Sequence, residues 1–278
     1  MTQNRVDTRM LGKAASLLIR DRKLFWWKLK VKCLHYWCSL FRNSALYVQG
    51  KMDIDPKALW HNRDFVSATG GYQIPGDRVH RAVLNLEPWD TVRRDMLILL
   101  LRKIVERQVA GDIAELGVYK GNTARLIHHY VPERKLHLFD TFSGFDQRDV
   151  SQERERTGLA ADQKAFSDTS IELVLRNVQA RNDNVEVHPG FFPQSVPEPL
   201  KEREFAFVHL DADLYDPIMA GLEFFYPRSP QGGIIVVHDY NSWPGARRAV
   251  DLFFQDKPET PIPMPDKSGS VVIVKLAC

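Results

Sequence analysis

GDIAELGVYKGNTA, residues 111–124, is an apolar run that stops at a glycine and reopens as a helical pattern. Ile113–Leu116 reads as a buried strand, Gly117 permits a close turn, and Gly121 precedes a helix predicted near 122–130. The same alternation recurs downstream, with strands predicted at Leu136–Phe139, Val185–Val187, Phe205–Leu210 and Ile234–Val237. Further helices fall near 169–181 and 217–226. Strands alternating with helices predict an α/β fold with a mostly parallel, doubly wound sheet and ligands at the carboxyl ends of the strands. SGSVVIVK, residues 268–275, supplies a last strand after the Pro-rich connection Pro258–Pro265. Upstream, Val92, Met96, Leu99, Leu100, Ile104 and Val105 follow helical spacing between Asp90 and Val109, with Gly111 expected as the C-cap.

The chain has 278 residues, 44% hydrophobic and 26% charged, enough for one large α/β domain and an appendage. Three cysteines, Cys33, Cys38 and Cys278, form neither a C-x-x-C pair nor an even framework, which fits a reducing cytoplasm. MLILLL, residues 96–101, is too short for a membrane span, and no secretory cleavage pattern is read near the N-terminus. The total charge of +3 is uneven. Residues 1–51 hold eleven Lys or Arg against two acids, a net +9, and the remaining 227 residues carry −6. Such an arm points to an anionic surface as its partner, and nothing in the body points to nucleic acid. Within it, LFWWKLKVKCLHYWCSLFR, residues 24–42, places Lys28, Lys32, His35, Ser39 and Arg42 on one helical stripe, with Trp26, Trp27 and Trp37 on other sides. That composition suits peripheral contact with the inner face of a membrane through residues 24–42, and equally a helix packed on the body or on a second subunit of a homo-oligomer. The expected organisation is a basic arm at 1–51, a helical lead-in at 52–110 and a core at 111–278.

The strand ends carry the polar residues. The first offers Glu115, Gly117 and Gly121 without a G-x-G-x-x-G or G-K-[ST] spacing, which disfavours nicotinamide dinucleotides and nucleoside triphosphates. The second ends in Asp140, a residue able to accept hydrogen bonds from ribose hydroxyls or to cap a helix. In VHLDADLYDP, residues 208–217, a buried strand empties into Asp211, Asp213 and Asp216. Mutually repelling carboxylates there imply a cation, although Asp216 before Pro217 has the pattern of a helix N-cap.

GDIAELGVYKGNTA, LHLFDTFSGF, HPGFFPQSVP, HLDADLYDP and VVHDYNSWPGARRAV, in that order, resemble the macrocin O-methyltransferase family over about residues 85–278. The resemblance implies a Rossmann-like class I methyltransferase fold, S-adenosylmethionine as cofactor, a divalent cation, usually Mg2+, and a sugar or glycan hydroxyl as acceptor. It assigns the amino-acid end of the cofactor to Glu115, Gly117 and Gly121 and its ribose to Asp140, with Phe142 and Ser143 at the same strand end. Gly190, Phe191 and Phe192 would border the adenine or serve as core aromatics. Asp211 and Asp239 match metal ligands and Asp213 a catalytic base. His238 stands where family members with a metal tend to have aspartate, so it reads as a metal ligand, a catalytic base or a residue of the site wall; an imidazole ligand would favour manganese or iron. The charged stretch 146–170 is expected to be a lid over the acceptor, or else a solvated surface helix. The alternative to an enzyme is a non-catalytic, membrane-associated scaffold on the same fold.

Overall fold

The computed structural model describes residues 90–179 and 183–277. The basic arm, and the lead-in up to residue 89, lie outside them. The described chain begins with α1 (Thr91–Glu106), β1 (Asp112–Leu116), α2 (Asn122–Tyr130), β2 (Leu136–Asp140), α3 (Gln147–Thr157), α4 (Ile171–Val178) and β3 (Val185–Pro189). It continues with β4 (Phe205–Leu210), α5 (Tyr215–Phe225), β5 (Ile234–Val237), α6 (Pro244–Phe253), β6 (Ile262–Pro263) and β7 (Val271–Val274). The strands form one sheet in the order β3-β2-β1-β4-β5-β7-β6. The first five are mutually parallel, and β7 pairs antiparallel with both β5 and β6. This is the Rossmann-like α/β sheet that the strand–helix alternation predicts.

All six residues of β4 are buried, as a central parallel strand covered on both faces requires. On one face, α1, α2 and α4 pack Leu97, Leu101, Leu126, Ile127 and Val174 against Ile113, Leu138 and Phe207. On the other, α5 and α6 pack Ile218, Leu222, Ala249 and Val250 against Ala114, Val208 and Ile235. The buried side of α1 is rotated from the expected stripe: Leu97, Ile98 and Leu101 are fully buried while Val92 is exposed. Six consecutive apolar residues, 96–101, make the stripe ambiguous, and packing against the sheet selects it.

Two expected caps are relocated. The last turn of α1 closes at Gln108, with φ 51°, whose neighbour Val109 donates to the Ile104 carbonyl at 3.1 Å. Gly111 instead opens β1, where a Cβ would lie 2.7 Å from the Glu204 carbonyl oxygen. Asp216 is not the N-cap of α5. Leu214 holds that position without a side-chain bond, and the Tyr215 amide donates across to buried Glu153 of α3 at 2.9 Å. Asp216 pairs with Arg156 at 2.5 Å.

Register sets the site. Leu116 aligns with Phe139 and with Leu210, and Leu210 aligns with Val237. The next residues, Gly117, Asp140, Asp211 and His238, therefore emerge side by side along one sheet edge. β1 is where the chain order reverses, the crevice at which such sheets bind ligands. Gly117 lets this edge close: its φ is +86°, and an added Cβ would stand 2.1 Å from the Asp211 carbonyl oxygen. Gly117→Ala combines a left-handed backbone with a backbone clash, and should cost at least about 2 kcal/mol in urea unfolding; a variant as stable as wild type would show that the two strand ends do not approach this closely.

Candidate active site

The row of strand ends opens into a cavity of about 490 Å³, within the range of small-molecule sites. Its floor is built from Glu115, Gly117, Asp140, Asp211, Asp213, His238 and Asp239, and its outer wall includes Phe145, Phe166 and Trp243.

On the β1–β2 side, Asp140 organises the turn after β1. Its Oδ2 accepts from the Val118 and Tyr119 amides at 2.7 and 2.9 Å, and its Oδ1 from the Phe142 amide at 2.7 Å. A carboxylate offers about four acceptor positions, so Oδ1 keeps room for a hydroxyl donor. Phe192 borders the cavity but is mainly a core aromatic, stacked on Phe225 and edge-on to Phe139. Three expected cofactor residues do not line the wall. Phe142 packs against the hydrophobic core, Ser143 is exposed, and Gly121 caps α2 at φ +79°, leaving space for Val174 and Val178 of α4.

On the β4–β5 side a continuous chain of polar and charged groups runs across the strands. Glu115 Oε1 lies 3.0 Å from His209 Nδ1, and His209 Nε2 faces Arg93 Nη2 at 3.1 Å. Arg93 donates onward to Asp211 Oδ2 at 2.5 Å. Asp211 Oδ1 is 2.9 Å from His238 Nδ1, which is also 2.7 Å from Asp239 Oδ2. His238 Nε2 faces the Lys267 carbonyl at 3.2 Å, and Ser242 donates to Asp239 Oδ1 at 2.6 Å. The Arg93 donor fixes His209 as the tautomer that gives its Nδ1 proton to Glu115.

Burial and the neighbouring Arg93 push the His209 imidazole down to about 3, leaving it neutral. Burial opposes ionisation of Asp211, but the Arg93 and His238 charges outweigh it and hold the carboxyl well below the usual range. Burial also opposes a charge on His238, yet Asp211 and Asp239 raise it to about 10. Asp213 is driven the other way. Burial, then the charges of Asp211 and Asp239, raise it well above an ordinary carboxyl. Asp213 and Asp239 both take left-handed backbone, φ 60°, which turns the chain sharply where each strand ends.

Asp211, His238 and Asp239 present one donor atom each within 4.8 Å of one another. Two carboxylate oxygens converge on His238 Nδ1, so a divalent cation taking the place of that proton would find three ligands at hand; the donor set fits. Arg93 occupies the far oxygen of Asp211 and supplies positive charge already. Neither Arg93 nor His209 is an expected site residue. Arg93 lies 118 positions from Asp211 with no local signal, whereas a histidine inside a fully apolar strand marked His209 as unusual.

The stretch 146–170 contains α3, bounded by the capping residue Asp146 and Gly158. It is not merely solvated: Asp149 and Glu153 are buried, and beyond the helix Asp168 binds Lys120 at 2.5 Å and the Tyr119 hydroxyl at 2.7 Å. Phe166 packs edge-on to Tyr119 and Phe145, and Phe145 edge-on to Trp243.

A family model for macrocin O-methyltransferase (TylF) matches residues 91–271, which contain every residue of this site. The chain belongs to that family. It is 28% identical over 165 residues to the demethyldecarbamoylnovobiocin O-methyltransferase of Streptomyces niveus, covering 54% of this chain and 60% of that enzyme. It is 31% identical over 153 residues to the mycinamicin III 3''-O-methyltransferase of Micromonospora griseorubida, covering 51% and 59%. These alignments span less than two thirds of either relative. The solved O-methyltransferase NovP superposes with TM-score 0.58 at 23% identity, over 76% of this chain and 96% of that one, a likeness of fold. Among the described residues, no helix is long and apolar enough to cross a membrane.

Asp149, at the cavity rim, is raised from the ordinary 3.8 to about 7, first by burial and then by the charges of Asp146 and Asp216. A carboxyl that holds its proton more tightly when folded makes stability fall as pH rises from about 4 through 7. Asp149→Asn should remove that loss, giving a higher urea midpoint than wild type at pH 8 and little difference at pH 4. Equal midpoints at pH 8 would show that folding does not raise the proton affinity of Asp149.

Proposed function

We propose that this protein is an S-adenosylmethionine-dependent O-methyltransferase acting on a hydroxyl of a sugar or glycan. The observation that carries the reading is one cavity with two chemically distinct halves: Gly117 and Asp140 at the ends of β1 and β2, and the acids with His238 at the ends of β4 and β5. Family membership favours methyl transfer, and the relatives named for novobiocin and mycinamicin substrates favour a sugar-bearing acceptor.

Methyl transfer from a sulfonium is an in-line displacement, and a sugar hydroxyl does not ionise near neutral pH. The enzyme must therefore orient the hydroxyl and remove its proton. Gly117 admits the cofactor to the backbone, and the remaining acceptor position of Asp140 takes a ribose hydroxyl. Asp213 accepts the acceptor's proton: the burial and like charges that raise its proton affinity make it a strong base once ionised. Asp211, His238 and Asp239 would hold a divalent cation, usually Mg2+, whose chemistry is to polarise the acceptor oxygen. Phe145, Phe166 and Trp243 offer apolar faces to the acceptor, and residues 146–170 cover it and exclude water.

Calorimetry and turnover test the division of labour. Asp140→Ala should weaken S-adenosylmethionine binding by about 1–3 kcal/mol, whereas Asp213→Asn should bind it like wild type and turn over slowly. Chelation should abolish transfer while leaving cofactor binding measurable. Loss of cofactor affinity in Asp213→Asn but not in Asp140→Ala would reverse the assignment, full activity in excess chelator would remove the cation, and absence of any cofactor binding would leave a scaffold.

The arm adds a partner. Its net +9 and its three tryptophans favour anionic lipid at the inner membrane face, since each engaged basic residue contributes about 1 kcal/mol. The full chain should sediment with anionic vesicles, less so at high salt, and a chain starting at Met52 should not. If both remain in the supernatant, the arm is a packing or dimerisation element.

A further inference from the structure

A second cluster of ligating side chains lies away from the cavity, on the β2–β3 edge of the sheet. His137 and Glu186 are register partners, and His188 lies two residues further along β3 on the same face. His137 Nδ1 is 3.2 Å from His188 Nε2 and 3.5 Å from Glu186 Oε2. One donor atom from each of the three residues falls within 4.8 Å of the others.

We propose that His137, Glu186 and His188 form a binding site for a divalent transition metal of the zinc type, which staples the edge strand β3 to β2. Three features of the geometry support this. Bonds of about 2.0–2.1 Å at tetrahedral angles separate neighbouring donors by about 3.3–3.4 Å, and the two observed separations bracket that value. His137 is oriented as metal-bound histidines are: its other nitrogen, Nε2, lies 3.3 Å from Asp112 Oδ2, and Asp112 is steadied by Arg203 at 3.2 Å. In the neutral ring this leaves the Nδ1 lone pair directed at the cluster. The surroundings also differ from one side to the other. His137 is buried against the edge of Phe205 and His188 is stacked on Phe139, while Glu186 is partly exposed and gives the ion a route in.

Two imidazoles and one carboxylate select zinc, cobalt or nickel over magnesium, which prefers oxygen donors. Lys135 now pairs with the other Glu186 oxygen and need not leave, because the ion would use Oε2. Three protein ligands leave a fourth position for water. The consequence is mechanical: β3 ends in Pro189, and the following Gly190–Phe192 segment borders the cavity, so the ion would fix one wall of the site from behind.

The test is zinc binding to the chelator-stripped full chain, followed by equilibrium dialysis with metal analysis and by thermal unfolding. Wild type should hold one equivalent more than His188→Ala or Glu186→Gln and melt higher with zinc than without it. Asp112→Asn should keep that equivalent with affinity reduced about tenfold or more, as loss of an orienting carboxylate does. If His188→Ala does not fold, Glu186→Gln, nearly isosteric and half exposed, still decides the matter. Equal zinc content in wild type and Glu186→Gln, together with an unchanged melting shift, would overturn the site and place any zinc elsewhere, including the Asp211 cluster.

Discussion

The contact between Arg93 and Asp211 is the interaction on which the site depends. Asp211 leaves a fully buried strand, and an unpaired carboxylate there would lose several kcal/mol of hydration. The guanidinium of α1 removes most of that penalty, and the same Nη2 also faces His209. One side chain thus ties the helix before the sheet to the central strand β4. Breaking such a pair on one side costs more than the pair contributes, because the remaining charge stays buried. Arg93 is therefore as much a condition for the acid cluster as the acids are for the arginine.

From that anchor the other charges follow by alternation. Glu115, His209, Arg93, Asp211, His238 and Asp239 form a row in which each group meets a neighbour of complementary hydrogen-bonding character. The row crosses β1, β4 and β5 because these strands are adjacent and in register, not because the residues are near in sequence. Asp213 stands beside the row, where burial and the charges of Asp211 and Asp239 raise its proton affinity. Position along one sheet edge thereby gives chemically identical carboxyls different tasks: Asp140 holds backbone amides, Asp211 stays charged, and Asp213 has the raised proton affinity of a base.

Much of this arrangement was legible in the residues. Buried parallel strands announce themselves as apolar runs, and the acids that follow them mark the binding edge without any knowledge of distances. Helix ends were less legible. Glu153 caps α5 from another helix, so the local Asp216-Pro217 signal pointed to the wrong residue. Gly121 was ambiguous because glycine before a helix serves either close ligand approach or close packing, and the sequence does not show that Val174 and Val178 pack beside it. Arg93 was hidden for a plainer reason. Its partner is 118 residues away, and no periodicity encodes a tertiary ion pair.

His238 shows how charge balance limits a residue choice. An aspartate there would add a fourth carboxyl to Asp211, Asp213 and Asp239 with Arg93 as the nearby cation. An imidazole avoids that excess. As the imidazolium it bridges Asp211 and Asp239, and with Arg93 it neutralises both. As the neutral ring it offers Nδ1 as a ligand while Nε2 still donates to the Lys267 carbonyl. The same three side chains can therefore stand without a cation or close around one, because His238 changes its protonation and not its place. An aspartate at this position could not do both, since without a cation its charge would face two others across a few ångströms of buried space.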